Sequence, residues 1–127
     1  MPDKQVYEYA VIRYLPRVER EEFVNVGVIL FCKRHRYLEV RYHLNESRLL
    51  AFDPELDLEL LRDYLQNWEW ISKGQKEGGE IAKLDLPSRF RWLTAVRSTI
   101  IQSSQVHPGM TDAPERVLER LFEQYVS

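Results

Sequence analysis

Two parts of the sequence hold polar residues of the kinds that active sites use. The first is the adjacent pair Glu21 and Glu22 with Asn25, and the second is STIIQSSQVHPGMTD, residues 98–112. General acid–base catalysis needs carboxylates in differing environments, and adjacent exposed glutamates do not provide them. We therefore interpret these residues first as a polar cluster that holds strand ends together, and second as a candidate site. Its members are Arg13, Glu22, Asn25, Arg97, Ser98, Thr99, Gln102, His107 and Thr111.

The stretch 98–112 could be a site or only a polar connection between two helices. A serine there, with the nearby histidine and aspartate, has the residue types of a hydrolase triad, but triads are assembled from distant segments. The β-branched residues 99–101 instead indicate a strand, and the following Pro-Gly indicates a tight turn. We expect the hydroxyl groups and Gln102 to bond backbone groups and to cap the final helix.

A run of basic residues, KRHR at positions 33–36, stands at the tip of a predicted hairpin, next to Tyr37. Basic residues that alternate with aromatic ones on strands could hold single-stranded nucleic acid. The net charge of −2 and the pI of about 5.9 instead favour a solvated turn, and nucleic acid is not an expected partner. The candidate basic patch consists of Lys33, Arg34, Arg36 and Arg41.

The sequence predicts no metal site and no cofactor. His35, His43 and His107 fall in three separate segments, and Cys32 has no second cysteine, so no zinc-ligand spacing occurs. A Walker A motif, a G-x-G-x-x-G loop and a G-x-S-x-G elbow are also lacking. Cys32 ends an apolar segment, and we interpret it as a buried structural thiol. No catalytic residue is identified.

Length and composition indicate one globular domain spanning residues 1–127. The chain is 44% hydrophobic and 12% aromatic, enough to fill a core. The single cysteine suits a reducing compartment, and the N-terminus shows no signal-peptide pattern. The longest apolar run, residues 26–32, is far shorter than a membrane span. We therefore expect a cytoplasmic protein that does not enter membranes.

Three segments are predicted to be strands, at residues 6–15, 23–32 and 37–44. Short connections favour an antiparallel meander. The second strand is almost wholly apolar, which indicates a central strand covered on both faces. Gly27 within it suggests a β-bulge or a close backbone approach. A fourth strand is predicted at residues 98–102, and the residues after it are interpreted as a loop.

Helices are predicted after the meander and at the C-terminal end. A short turn capped by Asn45 or Ser47 precedes the clearest helix, residues 53–73, which Asp53-Pro54 would begin. A further short helix is expected at 86–97, and Asp112 with Glu115 has capping-box spacing for the last helix. The predicted fold class is α+β, a small antiparallel sheet of three meander strands and a fourth, packed with three to four helices.

Two blocks of the sequence carry a resemblance to a known family. They are YEYAVIRYLPRVEREEFVNVGVILFC and FRWLTAVRSTIIQSSQVHPGMTDAPERVLERLF, and together they span nearly the whole chain. The chain resembles DUF3037, a bacterial family of unknown function, in which the positions of Pro108 and Val96 often differ. No activity is established for that family, so it implies no catalytic residues. It does imply an accessory role beside a HipA-like kinase, in a toxin–antitoxin-like or regulatory pair.

Three functions stay open at this point. The first is a non-enzymatic interaction module, with a HipA-like kinase as a possible partner. The second is a small enzyme with a cleft near Glu22, Asn25, Arg97 and His107, which a pocket joining these residues would favour. The third is nucleic-acid binding through the hairpin at residues 33–41. A homodimer is compatible with the sequence but not required by it.

Overall fold

The computed structural model describes residues 4–97 and 99–126. These residues form an α+β fold, as predicted, with one antiparallel sheet and four α-helices. The strands are β1 (Gln5–Tyr14), β2 (Val24–Cys32), β3 (Tyr37–Tyr42), β4 (Ile101–Ser103) and β5 (His107–Thr111). The helices are α1 (Glu46–Phe52), α2 (Leu58–Lys73), α3 (Leu86–Thr94) and α4 (Pro114–Tyr125). In the described ranges no helix is long and apolar enough to span a bilayer.

The strand order places β1 and β2 in the interior of the sheet. The meander runs β3-β2-β1, and β4 and β5 then share the far edge of β1. β4 pairs with residues 12–14 of β1, and β5 pairs with residues 5–9. The predicted meander and the interior position of β2 are therefore confirmed.

The structure differs from the sequence prediction in the fourth strand and the loop after it. The fourth strand is β4 at residues 101–103 rather than 98–102, and Ser98 lies outside the described residues. The segment predicted as a loop contains β5. Pro108 and Gly109 conceal this strand in the sequence, because both residues disfavour interior strands. An edge strand tolerates a missing N–H, and Gly109 leaves room for the Tyr7 ring, which lies 2.3 Å from where a Cβ would be.

A β-bulge in β2 sets which residues face which side of the sheet. Ile12 pairs with Gly27 and Arg13 with Asn25, so Val26 has no partner on β1. A Cβ on Gly27 would lie 2.8 Å from the backbone oxygen of Arg41. Both of the alternatives expected from this glycine, a bulge and a close backbone approach, occur together.

Helices cover the two faces of the sheet unequally. On the face that we call the α2 face, α1, α2 and α3 pack over a core that includes Ile29, Phe31, Leu65 and Phe90. The Phe31 and Phe90 rings stack with their centroids 5.1 Å apart. On the opposite face, the α4 face, α4 packs mainly against β2 and β3. The buried residues there are Tyr7, Val28, Leu30, Cys32, Val117, Leu118, Leu121 and Val126.

Two helix starts differ from the predictions. The cap of α2 is Asp57, whose carboxylate accepts the Leu60 N–H, whereas Asp53 ends α1. Local sequence offers two aspartates at similar distances from the helix and does not distinguish them. The predicted capping box before α4 does not form, because the helix begins at Pro114 and its cap is Ala113. α3 also ends at Thr94, earlier than expected.

Candidate functional site

Three of the predicted site residues form a row across neighbouring strands. Arg13 on β1 pairs with Gln102 on β4 and with Asn25 on β2. Residues directly opposite one another in a sheet point to the same face. The Asn25 amide donates a hydrogen bond of 3.2 Å to the carbonyl oxygen of Tyr125 in α4, which places the row on the α4 face. We call Gln102, Arg13 and Asn25 the polar row.

Two residues of the polar row, Arg13 and Gln102, line a cavity of about 250 Å³, which we call the Arg13 pocket. The guanidinium of Arg13 lies over the Phe23 ring, 4.1 Å from its centroid. Its Nε is buried and meets no acceptor, and the Asn25 Oδ1 is likewise buried without a donor. Buried polar atoms usually have a partner, and these two belong to residues that face each other across β1 and β2. The pocket is lined by Arg13, Leu15, Glu21, Phe23, Gln102 and Ser103.

Glu21, which the sequence did not single out from its neighbour, lines this pocket instead of Glu22. Glu21 has a left-handed backbone with φ of 55° at the end of a short 3-10 turn, residues 18–20. Glu22 forms an exposed ion pair of 2.7 Å with Arg20 and borders a separate cavity beside Phe52. No local sequence signal distinguishes two adjacent glutamates, because the choice depends on this one backbone angle.

The other polar candidates lie apart from the Arg13 pocket. Arg97 lies over the Trp92 ring, 4.2 Å from its centroid, and donates a hydrogen bond to the Trp92 carbonyl. Its burial lowers the pKa of its guanidinium. Thr99 donates to the Ile101 carbonyl at 2.7 Å, and Thr111 accepts the Ala113 N–H at 2.9 Å. These residues satisfy backbone groups, as the scaffold interpretation of the stretch 98–112 expects.

His107 belongs to an aromatic cluster on the α4 face. Its ring centroid lies 5.4 Å from that of Tyr9, whose ring also contacts Tyr125 at 6.4 Å. Hydrogen bonding with Tyr125, followed by burial, raises the pKa of Tyr9 to about 12. A phenol with so high a pKa stays protonated at neutral pH and is not a general base. The site residues proposed for a small enzyme therefore divide among several places on the surface.

The basic patch is also divided by the fold. Lys33 and Arg34 line a cavity of about 390 Å³ between the start of β1, the end of β2 and the start of α3. Arg41 faces the other way and lies over the Phe122 ring of α4, 4.5 Å from its centroid. Arg36 is exposed in the turn, with φ of 50°, and does not line the cavity. We call this cavity the corner pocket.

The corner pocket combines an apolar floor with a mainly cationic rim. Arg91 adds a third positive charge to those of Lys33 and Arg34, and Glu8 is the carboxylate among the lining residues. At its edge, Val6 and its cross-strand partner Met110 are 57% and 60% exposed. The full lining is Gln5, Val6, Glu8, Phe31, Lys33, Arg34, Pro87 and Arg91.

The pKa shifts of Asp85 and Tyr14 have structural causes. Residues 4–97 and 99–126 contain no group of three histidine, cysteine or acidic side chains placed to hold a metal ion. The pKa of the Asp85 carboxyl is lowered chiefly by hydrogen bonds from Ser88, because Asp85 caps α3. Burial first, and a hydrogen bond with Asp53 second, raise the pKa of Tyr14. These shifts arise from helix capping and packing.

Comparison with known proteins identifies one family. Comparison with curated proteins and with solved structures finds no significant match. The family described as "Protein of unknown function (DUF3037)" matches residues 9–126, which is nearly the whole chain. The match includes β2 to β5, all four helices and the second half of β1. The chain therefore belongs to the DUF3037 family.

Proposed function

We propose that this protein is a non-enzymatic interaction module of the bacterial cytoplasm, and that its corner pocket binds an acidic segment of a partner protein. The observation that carries the proposal is the rim of three cations around an apolar floor. The chain as a whole has a net charge of −2, so this corner is locally opposite in sign to the molecule. Such a patch steers and selects a partner of complementary charge.

The exposed apolar residues beside the pocket support a protein partner over a small anion. Val6 and Met110 lie side by side on β1 and β5 and leave apolar surface in contact with water. An apolar side chain of the bound segment would cover them, while acidic residues on either side meet Lys33, Arg34 and Arg91. Protein interfaces usually have buried apolar anchor residues at the centre and polar residues at the rim.

The first partner to test is a HipA-like kinase. The resemblance of the sequence to its family implies this association, and the proposed role as an accessory interaction module fits it. The small-enzyme alternative has weaker support, because Glu22, Arg97 and His107 do not share a cleft with Asn25.

The experiment is native affinity purification of the tagged protein, with and without nuclease, followed by calorimetric titration of the recovered partner. The test variant is Arg34→Glu, and the matched control is Arg36→Glu, the same charge change two residues away and outside the pocket. We expect Arg34→Glu to weaken binding about tenfold or more at low salt, equivalent to about 1.4 kcal/mol, and Arg36→Glu to change it little.

Three results would overturn the proposal. Equal losses in Arg34→Glu and Arg36→Glu would indicate non-specific attraction to the whole hairpin. Recovery of nucleic acid alone would favour the nucleic-acid alternative. Association only with a second copy of the chain would make the corner a homodimer contact instead.

A further inference from the structure

Arg13 has the features of an arginine that awaits an anion. Its side chain is half-buried, its guanidinium lies over the Phe23 ring, and within the described residues no carboxylate is paired with it. Its Nε–H has no acceptor. An arginine fork that is oriented in advance loses little freedom when a carboxylate binds it through two parallel hydrogen bonds.

Arg97 is a second arginine that lies over an aromatic ring, but its guanidinium has an acceptor within the chain. Both arginines lie over an aromatic ring, at 4.1 Å for Arg13 and 4.2 Å for Arg97. Arg97 donates to the Trp92 carbonyl, whereas Arg13 faces a cavity. The difference between the two is a missing acceptor, and the cavity is where an external acceptor would lie.

The rest of the Arg13 pocket specifies a ligand with a donor as well as an acceptor. Glu21 adds a carboxylate to the pocket wall, and Gln102 and Ser103 add polar side chains. A carboxylate attracts an N–H or ammonium group. Arg13 and Glu21 thus place opposite charges on one cavity, and no ion pair joins them in the described part of the chain.

We propose that the Arg13 pocket binds a small zwitterion of the α-amino acid type. Its carboxylate would bind Arg13, and its ammonium group would bind Glu21. The volume of about 250 Å³ suits a molecule of this size, and Leu15 and Phe23 provide apolar wall for a side chain. The C-terminal residue of a polypeptide shares the carboxylate and the adjacent N–H, but it lacks the ammonium group.

The ligand itself provides the first test and needs no mutation. The full-length protein is titrated by NMR with glycine, L-alanine, L-leucine and L-glutamine, and then with two derivatives of the best binder. The methyl ester lacks the carboxylate and the N-acetyl derivative lacks the ammonium group. We expect each derivative to bind about tenfold more weakly or worse than the free amino acid. If the N-acetyl derivative binds as well as the free amino acid, the ammonium group is not needed. The ligand would then be a polypeptide C-terminus and not a free amino acid.

Matched arginine variants provide the second test. Arg13→Gln should weaken binding about tenfold or more, and Arg97→Gln, which removes another arginine that lies over a ring, should leave it unchanged. Arg13→Lys keeps the charge but loses the fork, and it should fall between wild type and Arg13→Gln. Circular dichroism confirms that each variant is folded. The proposal is wrong if no amino acid binds at millimolar concentration, or if both arginine variants lose binding equally.

Discussion

Two adjacent rows of side chains on the same three strands have opposite character. The polar row, Gln102, Arg13 and Asn25, lies on the α4 face and is half-buried. One residue further along each pairing, Tyr14 lies between Ile101 and Val24 on the α2 face, and all three are buried. We call these three residues the apolar row. The helices of the α2 face cover the apolar row. α4 packs mainly on β2 and β3 and covers the polar row less completely.

The difference indicates where this domain is fixed and where it is free to bind. An apolar row under helices tolerates little change in volume, because protein interiors are close-packed. The polar row is only half-buried, and two of its residues, Arg13 and Gln102, line a cavity. Stability should therefore depend on the apolar row, and ligand binding on the polar row.

The largest expected effect is at β4, where neighbouring residues face opposite sides. Ile101→Ala removes a side chain that is 2% exposed in the main core and should lower the free energy of unfolding by about 2–5 kcal/mol. Gln102→Ala should change it by no more than about 0.5 kcal/mol, since the lost hydrogen bond to the Thr99 carbonyl is exposed. Urea unfolding followed by circular dichroism measures both. Similar losses in the two variants would contradict the division between the rows.

The bulge that produces the two rows gives the next prediction. Gly27→Ala would place a Cβ 2.8 Å from a backbone oxygen and 3.2 Å from the Ile12 side chain, and the backbone oxygen cannot rotate away. We expect a loss of about 1–3 kcal/mol, as for overpacking elsewhere in protein cores. Gly109→Ala is the comparison, because the three atoms nearest to its added Cβ belong to the Tyr7 side chain and not to the backbone. Thermal unfolding at equal concentration should show the larger loss for Gly27→Ala.

Ser104 supports both rows by holding β4 and β5 to β1 at the gap between them. Its hydroxyl accepts the Val11 N–H at 2.8 Å, and its own N–H donates to the Val11 carbonyl at 2.8 Å. Ser104→Ala leaves the buried Val11 N–H without an acceptor, which should cost about 1–3 kcal/mol. Ser103→Ala removes a neighbouring hydroxyl that accepts no such bond and should cost less. Equal unfolding midpoints for the two variants would show that the Ser104 hydroxyl is not needed.

Sequence patterns predicted the parts of this fold that depend on local periodicity. Alternation and β-branched content located β1, β2 and β3, and Gly27 pointed to the bulge. The pairing of Arg13 with Asn25 depends on the extra residue Val26, and its pairing with Gln102 depends on how β4 aligns with β1.

Non-local geometry limited the site prediction in the same way. Arg13, Asn25 and Gln102 were all named as candidates, but their adjacency could only come from the register of three strands. Glu22 was named where Glu21 lines the pocket, because the left-handed φ of Glu21 has no signature in a run of two glutamates. β5 was missed because its Pro-Gly pair is typical of a turn.

The last prediction concerns the pH dependence of stability and compares one tyrosine from each face of the sheet. The pKa of Tyr9 on the α4 face is raised to about 12, first by hydrogen bonding with Tyr125 and then by burial. The folded protein therefore holds this proton more tightly than the unfolded chain, whose tyrosines ionise near pH 10. The contribution of protonated Tyr9 to the free energy of unfolding is complete below pH 10 and is lost as the pH rises from about 10 to about 12. The change should be measured as phenolate absorbance at 295 nm after a rapid pH jump.

Two variants separate the faces in this titration. Tyr9→Phe should remove the absorbance step centred near pH 12 and flatten the fall in unfolding free energy between pH 10 and 12. Tyr14→Phe should leave that step in place, because the pKa of Tyr14 is raised by its own burial and by its 2.8 Å hydrogen bond to Asp53 on the α2 face. A step near pH 12 that survives in Tyr9→Phe would mean that the α4 face does not hold the Tyr9 proton. The aromatic cluster of Tyr9, His107 and Tyr125, which lies on the same face as the polar row, would then be more open to solvent than its ring contacts imply.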